Sequence, residues 1–146
     1  MPDMPATVSR FWCRRGYLGI TLFGHIFTRS EEEAKRFNSA SRNGQGGWWA
    51  VAKNHEMIHL RQAQSTHNSW LLFYVRYIWF SLLAARYWRR MKKAAYYLNP
   101  FEIEAYTHEK DLDYLDGFAD RGATGWKDYA KMSLADRMRH MRKYKH

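Results

Sequence analysis

His55 and His59 stand four residues apart, and Glu56 directly follows the first of them. On a helix, positions four apart differ by about 40° in azimuth, so both imidazoles project from one side. Two ring nitrogens placed in this way can share a zinc ion at about 2.0–2.1 Å. Glu56, one residue on, can reach a zinc-bound water without being a ligand. Zinc lowers the pKa of such a water and a neighbouring carboxylate accepts its proton. The pattern His-Glu-x-x-His therefore predicts hydrolysis with Glu56 as general base. Gln62 lies seven residues after His55 and returns to the same face. The bare pattern also occurs on exposed helix faces of unrelated proteins, so a third ligand is what would give it meaning.

A catalytic zinc usually takes three protein ligands and keeps one open position. The extended pattern with a glycine and a third histidine is excluded, because Gln62 and Ser65 occupy those places. His67, at the end of the same segment, fits no ligand spacing. Phe101-Glu102-Ile103-Glu104-Ala105-Tyr106 offers two carboxylates. They lie about 200° apart on a helix, so only one of them can face the metal. Glu109 and Asp113 fall near the azimuth of Glu102, where one of them could hold a ligand histidine from behind. Cys13 is the one cysteine, which rules out a disulfide framework and a cysteine-based zinc site. Any zinc must be held by histidine and carboxylate.

The chain must supply elements that bring these residues together. Its 146 residues, 46% hydrophobic and 17% aromatic, suit one packed domain. Residues 18–27 are rich in β-branched and aromatic types and predict a strand or hairpin. Ser30 followed by three glutamates predicts a short helix to about residue 37. Residues 39–47 read as a loop, and 48–66 as the helix that carries the histidines. A break at 67–69 follows, with Asn68 or Ser69 as a cap. Residues 70–88 form a long apolar helix, read as part of the core although its length approaches a membrane span. Asn99 as cap and Pro100 as first residue open a helix that should run to Asp116, with Gly117 stopping it. A basic tail, about 126–146, closes the chain, with a last helix from Trp126 or Ser133 to near Arg142 and residues 137–146 read as a solvated end. Glu104, Glu109, Asp111, Asp113 and Asp116 read as solvated or ion-paired rather than catalytic. The expected fold is α+β and predominantly helical, a single domain with its core in about 11–120.

Two of these segments together resemble the gluzincin zinc metallopeptidases. In that family a His-Glu-x-x-His helix pairs with a later helix carrying Glu-x-x-Ala, and Glu102-Ile103-Glu104-Ala105 matches the second motif. The phrases Asn54-His55-Glu56-Met57-Ile58-His59-Leu60-Arg61-Gln62 and Asn99-Pro100-Phe101-Glu102-Ile103-Glu104-Ala105-Tyr106 are also similar to small uncharacterised bacterial proteins classed with the metallopeptidases. That resemblance extends from about Tyr17 to Leu115. It implies a minimal zincin-like domain, zinc held by His55, His59 and Glu102, Glu56 as base, and a peptide or protein substrate. It also implies that residues 19–27 form a strand above the active helix that pairs with an extended substrate. Many gluzincins carry an aspartate four residues after the ligand glutamate. This chain has Tyr106 there, a residue that could support a ligand or steady an oxyanion, with Tyr96 and Tyr97 as rivals.

Charge supplies the remaining expectations. With 24 Lys/Arg against 14 Asp/Glu, the formal charge is +10. The surplus is uneven: residues 101–120 hold seven acids and one lysine, with basic regions on either side. Such a balance suits an anionic membrane surface. Nucleic acid is disfavoured, since no zinc-finger spacing, phosphate loop or RNA-recognition signature is present. No signal-peptide pattern is visible at the N-terminus, so a cytoplasmic or membrane-associated location is expected. The competing reading is a basic, aromatic-rich membrane-surface or nucleic-acid binding module whose zinc is structural or absent.

Overall fold

The computed structural model describes residues 5–9, 20–40 and 46–144. The start of the expected front strand, Cys13, the loop at 41–45 and the last two residues lie outside this set. The fold is α+β and predominantly helical. Three short strands, β1 (Ala6–Val8), β2 (Ile20–Leu22) and β3 (His25–Thr28), form a mixed sheet in the order β1-β3-β2. β3 pairs parallel to β1 and antiparallel to β2, with Thr21 opposite Ile26. Phe23 and Gly24, both at positive φ, make the hairpin turn between β2 and β3.

Helix α1 (Glu31–Ser39) starts at the expected Ser30 cap, completed by Glu33 as a reciprocal capping box. Its Ala34 and Phe37 pack on Ala6 and Ile26. The Asn38 amide binds both backbone groups of Ala6, at 2.7 and 3.4 Å, and so fixes β1. Helix α2 (Trp48–Ser65) carries the histidines through the middle of the molecule. Ser69 caps α3 (Trp70–Ala85), and a short α4 (Ala94–Tyr97) leads to α5 (Pro100–His108). A 3-10 segment (Tyr114–Arg121) and two further helices, α6 (Trp126–Lys131) and α7 (Leu134–Met141), complete the order.

Helix α5 is the hub. Pro100 through Ala105 are all buried. Phe101 sits among Phe73, Phe80 and Trp126, with ring centroids 4.7 to 5.9 Å away. Asn99 explains its placement: the side-chain oxygen accepts from Phe101 N–H, while its amide donates to the Tyr77 carbonyl and the Ser81 hydroxyl, each at 2.9 Å. The cap that starts α5 thus also anchors it to α3.

Four expectations need correction. The helix from Pro100 ends at His108, not Asp116, and Gly117 lies inside the 3-10 segment. The cause is Asn54, whose amide takes the carbonyls of His108, Glu109 and Asp111 at 2.9–3.3 Å and so completes the helix end. Helix α3 stops at Ala85 rather than Trp88, and only Phe73 and Ala84 are fully buried on it. It is half core and half surface, and no helix is long and apolar enough to cross a membrane among the described residues. The tail is docked rather than loose. Arg137 is buried and donates to the carbonyls of Leu98, Tyr129 and Ala130, while Met141 packs with Ala84 and Met91. Glu104 was expected to be solvated or ion-paired, but it is wholly buried.

Gly122 shows how closely the 3-10 segment meets α2. Its φ is +75°, and a β-carbon there would lie 2.5 Å from both the Arg61 carbonyl and the Ser65 nitrogen. Gly122→Ala is expected to cost about 2 kcal/mol or more through strain and overlap. Thermal unfolding should show a midpoint lower by roughly 4 °C or more. An unchanged midpoint would contradict this packing.

Candidate metal centre

Helices α2 and α5 face each other along their buried sides, and the facing residues include an unusual number of polar groups. Asn54, His55, His59 and Gln62 of α2 and Glu102 and Glu104 of α5 are all buried. Burying such groups is costly unless each is paired, so their partners reveal what the contact is built for.

The ring nitrogens of His55 and His59 converge, Nε2 to Nε2, at 3.2 Å. Glu102 closes the triangle, with Oε2 3.5 Å from His55 Nε2 and Oε1 3.5 Å from His59 Nε2. For ligand bonds of about 2.0–2.1 Å in a tetrahedron, the ligand–ligand edges are about 3.3 Å. The His55–His59 separation and that from His55 to Glu102 Oε2 are close to that edge, while the Glu102 oxygen nearest His59 is Oε1. One atom is left over: Glu102 Oε2 is buried and has no hydrogen-bond partner. A lone buried carboxylate oxygen beside two imidazoles is what a cation would satisfy, and the three residues fit one. The donor set of two nitrogens and a carboxylate suits zinc among other divalent metals.

The groups behind the candidate ligands set their orientation. His55 Nδ1 lies 2.9 Å from Glu109 Oε2, which fixes Nδ1 as the donor and directs Nε2 to the centre. His59 Nδ1 lies 2.8 Å from Gln62 Oε1. The Gln62 amide donates to the Phe101 carbonyl and to Glu104 Oε2, so its oxygen must face His59. Glu104 then accepts also from Tyr114 O–H and from the N–H groups of Gly125 and Trp126, at 2.8–2.9 Å. A side chain at position 125 would collide with this carboxylate, its β-carbon falling 2.7 Å from Oε1. On the other flank, Tyr77 donates to Glu102 Oε1 at 2.6 Å.

Electrostatics follow this geometry. Burial would raise the Glu102 pKa, but the imidazoles of His59 and His55 outweigh it and hold the carboxyl well below the usual range. Burial would lower His55, but the carboxylates of Glu102 and Glu109 beside it carry it up to about 10. His59 is likewise raised, burial being outweighed by Glu102. At neutral pH the metal-free centre therefore holds a proton that an incoming cation must displace.

Glu56 completes the arrangement from the side of the sheet. With His59 and Glu102 it lines a cleft of about 270 Å³ whose other walls are β2, Phe73, Tyr74, Tyr77 and Tyr96. Thr21 Oγ1 donates to Glu56 Oε2 at 2.5 Å and so orients the carboxylate. The outer edge of β2, expected to receive an extended chain, is bridged by Tyr74. Its hydroxyl accepts from Phe23 N–H at 3.0 Å and donates to the Thr21 carbonyl at 3.2 Å.

Four of the five residues picked out by motif, His55, Glu56, His59 and Glu102, thus meet at one place. Tyr106 stands beside them, its ring edge-on to His55 at 4.6 Å and its hydroxyl 3.2 Å from that of Tyr96. Of Tyr96, Tyr97 and Tyr106, it is Tyr96 that lines the cleft. Glu109 fills the supporting place suggested by its azimuth, and Asp113 does not. Thr21, Tyr77 and the roles of Gln62 and Glu104 carry no sequence signal, because each depends on a contact between distant segments.

The two glutamates of α5 should separate cleanly. Glu102→Gln is expected to abolish stoichiometric zinc uptake. Glu104→Gln should keep the zinc but destabilise the protein by about 2–4 kcal/mol, since a carboxamide cannot accept all four donors. Equilibrium dialysis and thermal melts decide this, and metal loss from the Glu104 variant with retention in the Glu102 variant would reverse the assignment. Comparison with family models, curated proteins and solved structures finds no match for this chain.

Proposed function

We propose that this chain is a zinc-dependent hydrolase that cleaves peptide bonds, a zincin-like metallopeptidase reduced to its essential helices. The observation that carries the reading is the shared cleft. A carboxylate that is not a ligand, Glu56, is held by Thr21 beside His59 and Glu102, whose second oxygen lacks any protein partner. A structural metal has no need of an open cleft or of an adjacent oriented base.

His55, His59 and Glu102 would hold the zinc, which when bound would supply Lewis acidity to a carbonyl and to water. The chain's own residues do the rest. Glu56 takes a proton from the attacking water as its oxygen bonds to the carbonyl carbon. It returns that proton to the amide nitrogen as the carbon–nitrogen bond breaks, and the water's second proton passes from the new carboxyl group to the amine, leaving a carboxylate and an ammonium. Tyr96 stays protonated, because burial and the nearby charge of Glu102 push its pKa up. It serves as the donor for the oxygen that gains negative charge. Phe73, Tyr74 and Tyr77 give the cleft an aromatic wall suited to an apolar side chain of a peptide or protein substrate. A substrate that pairs with β2 must first displace the Tyr74 hydroxyl from Thr21.

The test is hydrolysis of a broad peptide library by zinc-reconstituted protein. Glu56→Gln should retain full zinc and lose turnover. Thr21→Val should retain zinc and lower kcat roughly tenfold, the worth of one hydrogen bond to a charged group, with Thr21→Ser restoring it. Undiminished cleavage by Glu56→Gln would overturn the assignment of the base.

A further inference from the structure

Helix α3 is apolar on both sides, but only its inner side is covered. Phe73, Tyr77, Phe80 and Ala84 face the core clusters. Leu71, Val75, Ile78, Trp79 and Leu82, spaced by three and four residues, form a stripe on the outer side and are 56% to 74% exposed. Arg76, the one charge inside the helix, is turned away and lies over the Trp126 ring at 5.5 Å. Phe23 extends the apolar surface from the hairpin tip, 62% exposed with its ring 5.0 Å from that of Tyr74. Monomeric surfaces rarely leave so continuous an apolar strip in water.

Charge identifies what covers it. Leu82 is followed four residues later by Arg86, and Arg89, Arg90, Lys92 and Lys93 come next, all exposed. Among the described residues none of these five cations is in an ion pair. From Glu56 to Glu102 the intervening chain carries seven Lys/Arg and no acid. The packing of Met141 with Ala84 and Met91 brings the exposed Arg142 and Lys143 of the tail to the same end. Trp88, 64% exposed with Arg89 over its ring, stands between stripe and cluster. Apolar stripe, aromatic border and cation cluster in this order are the elements of a helix that lies in the headgroup region of an anionic bilayer. Sixteen residues span about 24 Å, a length that lies along a surface rather than across it.

We propose that the outer face of α3, with Phe23 and the 86–93 cluster, docks this protein on an anionic phospholipid surface. The cleft is lined by Phe73, Tyr74 and Tyr77 of the same helix, so docking would place it next to the bound surface's anchoring element. The proposal does not depend on the metal reading and is tested apart from it.

The experiment is vesicle flotation of the full chain in chelator, using phosphatidylcholine with or without phosphatidylglycerol. Binding is expected only to the phosphatidylglycerol vesicles and should weaken with salt. Arg89→Gln with Arg90→Gln should lower partitioning about 30-fold. Val75→Ser with Trp79→Ser should abolish it while circular dichroism and melting stay unchanged, since both side chains are exposed. Equal binding to both vesicle types, or none to either, would overturn the proposal. So would a dimer by light scattering that Trp79→Ser converts to monomer without any vesicle binding, because the stripe would then be covered by a second copy.

Discussion

Burying the Glu102 carboxylate against two imidazoles constrains nearly every other element of this fold. A carboxylate at that depth is tolerated because His55 and His59 oppose its charge and Tyr77 donates to one of its oxygens. To bring the three groups to separations of 3.2–3.5 Å, α5 must meet α2 at one register. That register is set from both ends of α5. Asn99 ties its start to α3, and Asn54 closes its end and turns the chain so that Glu109 reaches His55. The small sheet contributes Thr21, which brings Glu56 into the same arrangement.

The buried polar groups form one network with two branches that meet at His59. The first is the set of candidate ligands with Glu109, Tyr77 and the Tyr106 ring. The second runs from His59 through Gln62 to Glu104 and on to the first turn of α6. Glu104 is therefore no spare ligand. It is the acceptor that joins α2, Tyr114 and the start of α6, and Gly125 is small enough to let it approach the backbone. Two glutamates two residues apart on one helix thus serve opposite faces and different ends: one leaves an oxygen for a cation, the other leaves none unpaired.

Much of this was legible in the residues. The helical spacing of His55 and His59, the Asn99-Pro100 start, the Ser30 cap and the apolar run after Ser69 all act locally, and local chemistry can be read along a chain. The azimuth argument limited the third ligand to one of two glutamates, and likewise pointed to Glu109. What failed to be legible is what depends on other segments. The α5 helix stops eight residues early because a side chain from α2 takes its carbonyls. The α3 helix is half exposed because its apolar residues surround it and nothing along the chain says which side is covered. Thr21 and Tyr74 act across more than thirty residues of sequence. Arg137 looks like a solvated tail residue until the carbonyls of α6 and Leu98 are placed around it.

The central claim is that His55, His59 and Glu102 hold a zinc ion by nitrogen and oxygen alone. X-ray absorption at the zinc edge of the reconstituted protein tests it most directly. Nitrogen and oxygen neighbours are expected at about 2.0–2.1 Å, with the scattering pattern of two imidazoles. A sulfur neighbour at about 2.3 Å, or the absence of imidazole scattering, would contradict it.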